Sequence, residues 1–136
     1  MTSPVPSAEV QLVSLWTSGL TYMSESEAPL MVLPAVMEND DPATTIEQAT
    51  GASVGPLTEV PVSAFFEKVL RQQRIVAEEV PAASRLDKWN ELVLNLKSHF
   101  TAVNVYRSGS VQVGIFIVCR TAKGEQVVIA TRAVET

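Results

Sequence analysis

The chain of 136 residues holds one histidine, His99, and one cysteine, Cys119. Two such residues are too few for a His/Cys zinc site within one chain, and a lone cysteine forms no internal disulfide. Bases are missing from the whole first half, since the first Lys or Arg is Lys68. The opening residues, Met1 to Gln11, therefore lack the positive segment of a signal peptide. Long hydrophobic runs are lacking too. The longest, Pro29 to Met37 and Val113 to Cys119, fall far short of the roughly 20 residues of a membrane helix. Nor is there a glycine-rich phosphate loop, a G-x-S-x-G nucleophile elbow or an H-E-x-x-H zinc motif. Together with the lone thiol, which suits a reducing compartment, these absences predict a cytoplasmic protein with no cofactor and no metal of its own.

What is present is enough for one real core: 46% of the residues are apolar, which fits a single domain over residues 1–136. The net charge of −5 argues against a binder of nucleic acid or of an anionic membrane, which would carry a basic footprint. Position sharpens that figure. Residues 1–67 hold nine acids and no base, whereas residues 68–136 hold ten bases and six acids, so −9 is followed by +4. Such asymmetry marks an interaction surface, unless the two halves interleave in the fold and neutralise one another.

Periodicity divides the chain into elements. Residues 1–6, with Pro4 and Pro6, read as a flexible lead; Ser7 then caps a helix carrying Val10, Val13, Trp16 and Leu20, closed at Gly19. Pro29 to Met37 reads as a buried strand with Pro34 at a bulge or at the end of the pairing. The turn cluster Glu38 to Pro42 leads into a short helix around Thr44 to Thr50 that stops at Gly51, and Thr58 to Val62 is a brief strand. Ser63 is expected to cap a helix with Phe65, Phe66, Val69 and Leu70 on its apolar face, and Arg71 to Val80 to form a loop. The clearest helix spans Ala82 to Phe100, where Leu86, Trp89, Val93, Leu96 and Phe100 form one stripe and Ser84 with Asp87 resembles a capping box.

The last third reads as a three-stranded meander of Val103 to Arg107, Val111 to Thr121 and Gln126 to Val134. Its middle strand is apolar on both faces and so needs a layer over each. The predicted fold is an α+β, three-layer α-β-α sandwich around a largely antiparallel central sheet.

Few residues are placed for chemistry. Cys119 sits on an aliphatic strand face and reads as an inert buried thiol, and His99 lies at a helix end. Two features remain. Ser24-Glu25-Ser26-Glu27 alternates hydroxyl and carboxylate on a loop, either as a site or as a turn in which Ser24 or Ser26 caps the backbone. Val134-Glu135-Thr136 follows the last strand closely enough to be held by the sheet, where an ordered chain end enters a partner at low entropic cost. Should the fold set these two features side by side, the modest net charge conceals a concentrated anionic site.

The same two features carry a family resemblance. Gly19-Leu20-Thr21-Tyr22-Met23-Ser24-Glu25-Ser26-Glu27-Ala28-Pro29 resembles the signature segment of the nuclease A inhibitor (NuiA-like) family, of cyanobacterial origin. Val105-Tyr106-Arg107-x-Gly109, Thr121-Ala122-x-Gly124 and Val134-Glu135-Thr136 resemble its C-terminal third, with Gln48-Ala49-Thr50-Gly51 and Phe65-Phe66 as weaker landmarks.

The resemblance implies an α-β-α sandwich without enzymatic activity. It would act as a stoichiometric protein inhibitor, monomeric when free, of a sugar-non-specific, Mg²⁺-dependent nuclease. It also implies that Thr136 reaches the partner's Mg²⁺ and that Glu25 engages the hydrated metal. Ser24, Ser26, Glu27 and Glu135 complete the expected partner-binding set. The family also uses an Asp-Trp pair ahead of its long helix. Here that segment runs from Arg71 to Glu79 without such a pair, so the contact differs or the scaffold serves a non-nuclease protein partner. An enzyme built on carboxylates alone is a third reading.

Overall fold

A computed structural model describes residues 7–37 and 39–136. The expected flexible lead, residues 1–6, and Glu38 of the turn cluster lie outside the described residues.

The sheet is organised by its most apolar strand. In chain order the elements are α1 (Ala8–Thr17), β1 (Thr21–Met23), β2 (Glu27–Pro29), β3 (Met31–Val32), β4 (Val36–Met37), α2 (Pro42–Thr50), β5 (Thr58–Val60), α3 (Val62–Glu79), α4 (Leu86–His99), β6 (Ala102–Ser108), β7 (Gln112–Arg120) and β8 (Glu125–Val134). A six-stranded antiparallel sheet runs β3-β8-β7-β6-β5, and β4 also pairs with β8. The strand apolar on both faces, β7, lies at its centre between the two other strands of the meander.

Two cores follow from the alternation along β7. Val113, Ile115, Ile117 and Cys119 face a large cluster shared with Val10 and Val13 of α1, Phe65, Phe66 and Val69 of α3, and Trp89, Leu92 and Leu96 of α4. Phe116 and Val118 point the other way, onto Ile46 and Ala49 of α2 and Val128 of β8. Helices therefore cover both faces, and the three-layer α-β-α arrangement is present. Each fully buried aliphatic side chain in it contributes about 1.5–3 kcal/mol of transfer free energy.

Several helix ends follow their sequence signals. Ser7 Oγ accepts from Val10 N at 3.2 Å, Asp41 caps α2, and Gly51 closes that helix at φ +74°.

Other elements differ from expectation, each for a visible reason. Arg71 to Glu79 is helix, not loop, and extends α3 to 18 residues. The obscuring residue is Gln73, which takes the buried position next after Val69 on the inner face. Its Oε1 accepts from Arg85 N at 2.8 Å and its Nε2 donates to Met23 Sδ at 3.7 Å, so the amide is satisfied in the interior. Ser63 is not the cap of α3. Pro61 occupies that position without a side-chain hydrogen bond.

The fourth helix starts at Leu86, after a 3₁₀ turn over Pro81–Ala83. The Ser84–Asp87 capping box gives way to a different use of Ser84, whose hydroxyl accepts from Leu86 N and donates to Gln73 O. Pro29 to Met37 is no continuous buried strand. Pro29 ends β2, and the rest forms two short ladders on β8 that break around Pro34, with Met31 and Met37 59% and 73% exposed.

Among the described residues, no helix is long and apolar enough to cross a membrane, and no group of three or more His, Cys, Asp or Glu is placed to hold a metal ion. Cys119 is wholly buried, and burial pushes its thiol from an ordinary value of 9.0 up to about 12. The folded protein retains this proton where the unfolded chain loses it, so the thiol's contribution to stability is lost as pH rises from 9.0 towards 12. At pH 8 an aromatic disulfide reagent is expected to leave the native thiol unmodified over hours and to titrate it fully in denaturant. Prompt native reaction would contradict this burial.

Candidate functional site

The acidic loop is the tip of a short hairpin. Strands β1 and β2 pair Thr21 with Pro29, Tyr22 with Ala28 and Met23 with Glu27, leaving Ser24, Glu25 and Ser26 as the turn. The hairpin is anchored from below. Tyr22 is buried and stacks on Phe65 with ring centroids 5.7 Å apart, and Thr131 Oγ1 of β8 donates to Pro29 O at 3.0 Å. Burial raises the Tyr22 phenol above its ordinary 10.0; nearby Arg107 opposes that shift and Glu135 adds to it.

Ser24 ties the turn together. Its hydroxyl accepts from Ser26 N at 3.3 Å and donates to Ser26 O at 3.2 Å. The same oxygen accepts from Val134 N at 3.0 Å, so one small side chain both closes the loop and holds the end of β8. Capping by Ser24 therefore does not set the loop apart from the chain end: the same side chain serves both.

The chain end completes the arrangement. Glu25 N donates to Val134 O at 3.3 Å and Glu135 N to Val111 O at 2.8 Å. Thr136 donates its backbone N–H to Glu25 Oε2 at 2.8 Å, and its hydroxyl approaches the two carboxylate oxygens at 2.7 and 2.9 Å. The loop and terminus therefore form one clasp, joining residues 111 positions apart.

With the Thr136 hydroxyl proton committed to Glu25, the lone pairs of that oxygen remain available to a cation or a donor. Glu25 and Thr136 are both exposed. Glu27 is exposed as well, and one of its carboxylate oxygens accepts from Thr21 Oγ1 at 2.6 Å. Ser26 contributes its backbone to the turn and leaves its side chain at the surface. Glu135 is turned towards Arg107, with Oε1 2.6 Å from Nη2. The anionic surface is thus carried by Glu25 and Glu27, while the charge of Glu135 is locally balanced.

A groove of about 900 Å³ opens beside the clasp. It is lined by Ser26, Glu27, Met31, Phe116, Arg132 and Val134, among others, on the part of the α2-side sheet face that α2 leaves uncovered. His99 stands apart from this region, exposed at the end of α4 with its ring edge-on to Trp16 and Phe100.

Two contributors escaped the sequence reading. Gln73 carried no apolar signal, although it links the strand before the loop to the start of α4. Arg107 carries a different signal: it stands in phase with Val103 and Val105, and a cation at an inward strand position implies a partner.

The three-layer sandwich thus presents, at one edge of its sheet, an acidic clasp made by the β1–β2 turn and the residues after β8. The chain belongs to the nuclease A inhibitor-like family, whose model matches residues 8–136. Comparison with curated proteins returned no match.

Proposed function

We propose that this protein is a stoichiometric, non-catalytic inhibitor of a sugar-non-specific, Mg²⁺-dependent nuclease, acting as a cytoplasmic monomer. It blocks the partner's active site with Glu25 and Thr136. The observation that carries the reading is the clasp itself, in which a carboxylate and a hydroxyl are held together before any partner arrives.

The chemistry is complementary. A nuclease site attracts phosphate around a bound cation, so an oxygen-rich anionic clasp on ordered supports occupies the place of the scissile phosphate. Ordering in the free protein lowers the entropic cost of insertion. The exposed acids Glu25 and Glu27 steer encounter with a basic nuclease, which makes the association rate fall with salt. Membership of the nuclease A inhibitor-like family supports the same reading.

The test is titration of this chain into a fixed concentration of such a nuclease with Mg²⁺, ideally one encoded by the same organism. Activity is expected to fall linearly to zero near one equivalent. Full activity at large excess overturns the reading. A second reading, a binding module for a non-nuclease protein, is favoured by the exposed Arg71 and Arg74 on α3, in the segment that lacks the Asp-Trp pair. Recovery of a non-nuclease partner without any nuclease inhibition would favour it.

A further inference from the structure

The residues beyond β8 are held to the sheet by one backbone hydrogen bond, Glu135 N to Val111 O. One such bond leaves a chain end free to pivot, and chain ends that pivot fray. Here the Arg107 side chain adds a second tether, through Glu135. Arg107 leaves β6 on the same face as Val103 and Val105, and its guanidinium reaches past β7 to Glu135. The pair is only about one-third exposed, with side-chain exposures of 32% and 38%, and both charges lie near the buried Tyr22 phenol. Thr136 follows Glu135 directly, so whatever fixes Glu135 also limits where the Thr136 N–H and hydroxyl can lie, and both reach the Glu25 carboxylate.

We infer that Arg107 is a positioning residue of the inhibitor: by fixing Glu135 it sets the orientation of the chain end and seats Thr136 on Glu25. The inference rests on the inhibitor reading only for its functional consequence; the seating of Thr136 is a property of the free protein. Arg107 need not touch the partner. Its effect on inhibition is indirect, through how often Thr136 is found on Glu25.

The experiment compares the intact chain with Arg107→Gln, Glu135→Gln, the double variant and Arg107→Lys. Backbone ¹⁵N relaxation of Thr136 in the free protein is the deciding readout. In the parent the order parameter is expected near the rigid value of about 0.85, and in either single Gln variant below about 0.6. The double variant is expected to be no worse than the singles, and Arg107→Lys to restore most of the order. The nuclease titration should weaken about tenfold in each Gln variant, with the melting temperature nearly unchanged.

An ordered Thr136 in Arg107→Gln overturns the inference whatever the inhibition assay shows, and Glu135→Gln provides the same decision should Arg107→Gln fail to fold. A loosened Thr136 that Arg107→Lys restores supports it. Failure of the parent chain to inhibit overturns the inhibitor reading instead, and leaves the relaxation result to decide the positioning role.

Discussion

Removal of Thr136, or Glu25→Ala, is expected to weaken nuclease inhibition by about two orders of magnitude, equivalent to about 2.7 kcal/mol of binding free energy. Each change deletes one half of the clasp and releases the other. Without Thr136 the Glu25 carboxylate loses its two intramolecular donors; without the carboxylate Thr136 loses the acceptor for its N–H and its hydroxyl. The fold should barely notice, because both residues are exposed and surface substitutions of this kind usually change stability by less than about 0.5 kcal/mol.

Glu25→Gln separates charge from shape. It keeps an acceptor oxygen for Thr136 but removes the anion that a metal-centred site attracts, so it is expected to fall near Glu25→Ala in potency while retaining more order at Thr136. The measurement is an inhibition titration beside a thermal melt. Unchanged potency in both variants removes the proposed mechanism even where binding persists.

The architecture was legible in the sequence because its strongest signals are redundant. The two-sided β7 demanded a layer over each face, and α2 and the α1–α3–α4 group supply them. The hairpins of the meander were marked by Gly109 and Gly124, both of which adopt positive φ. Misreadings arose where one residue broke a pattern for a tertiary reason. Gln73 interrupts the apolar stripe of α3, and its partners, Arg85 N and Met23 Sδ, are 12 and 50 positions away. No local window contains them. Pro29 to Met37 was read as buried from its composition, but its place at the sheet edge exposes Met31 and Met37.

The site was legible in its residue types and not in its geometry. Alternation of Ser and Glu flagged the loop, yet that Ser24 would hold β8 and Glu25 would hold Thr136 depends on the hairpin folding over the strand end. The opposed charges of Arg107 and Glu135 are 28 positions apart, with a full strand between them in the sheet.

Trp89→Ala is expected to destabilise the fold by about 3–5 kcal/mol, a large share of the roughly 5–15 kcal/mol available to a domain of this kind. Trp89 is 1% exposed and belongs to the core shared by α1, α3, α4 and the sheet, so truncation opens a cavity beneath several elements at once. Trp89→Phe makes the sharper test. The Nε1–H is buried and has no hydrogen-bond partner among the described residues. Replacing it with Phe removes an unsatisfied donor, which offsets part of the lost packing. The expected cost is therefore well below that of Trp89→Ala, because Phe leaves a smaller cavity than Ala does. Urea denaturation at constant m-value measures both variants. A Trp89→Phe cost equal to that of Trp89→Ala would mean that the indole N–H has a bonded partner, such as a buried water. Because Trp89 lies in the core of α4 and the clasp is made by the hairpin and the end of β8, inhibition by the folded fraction of Trp89→Phe should equal that of the parent chain.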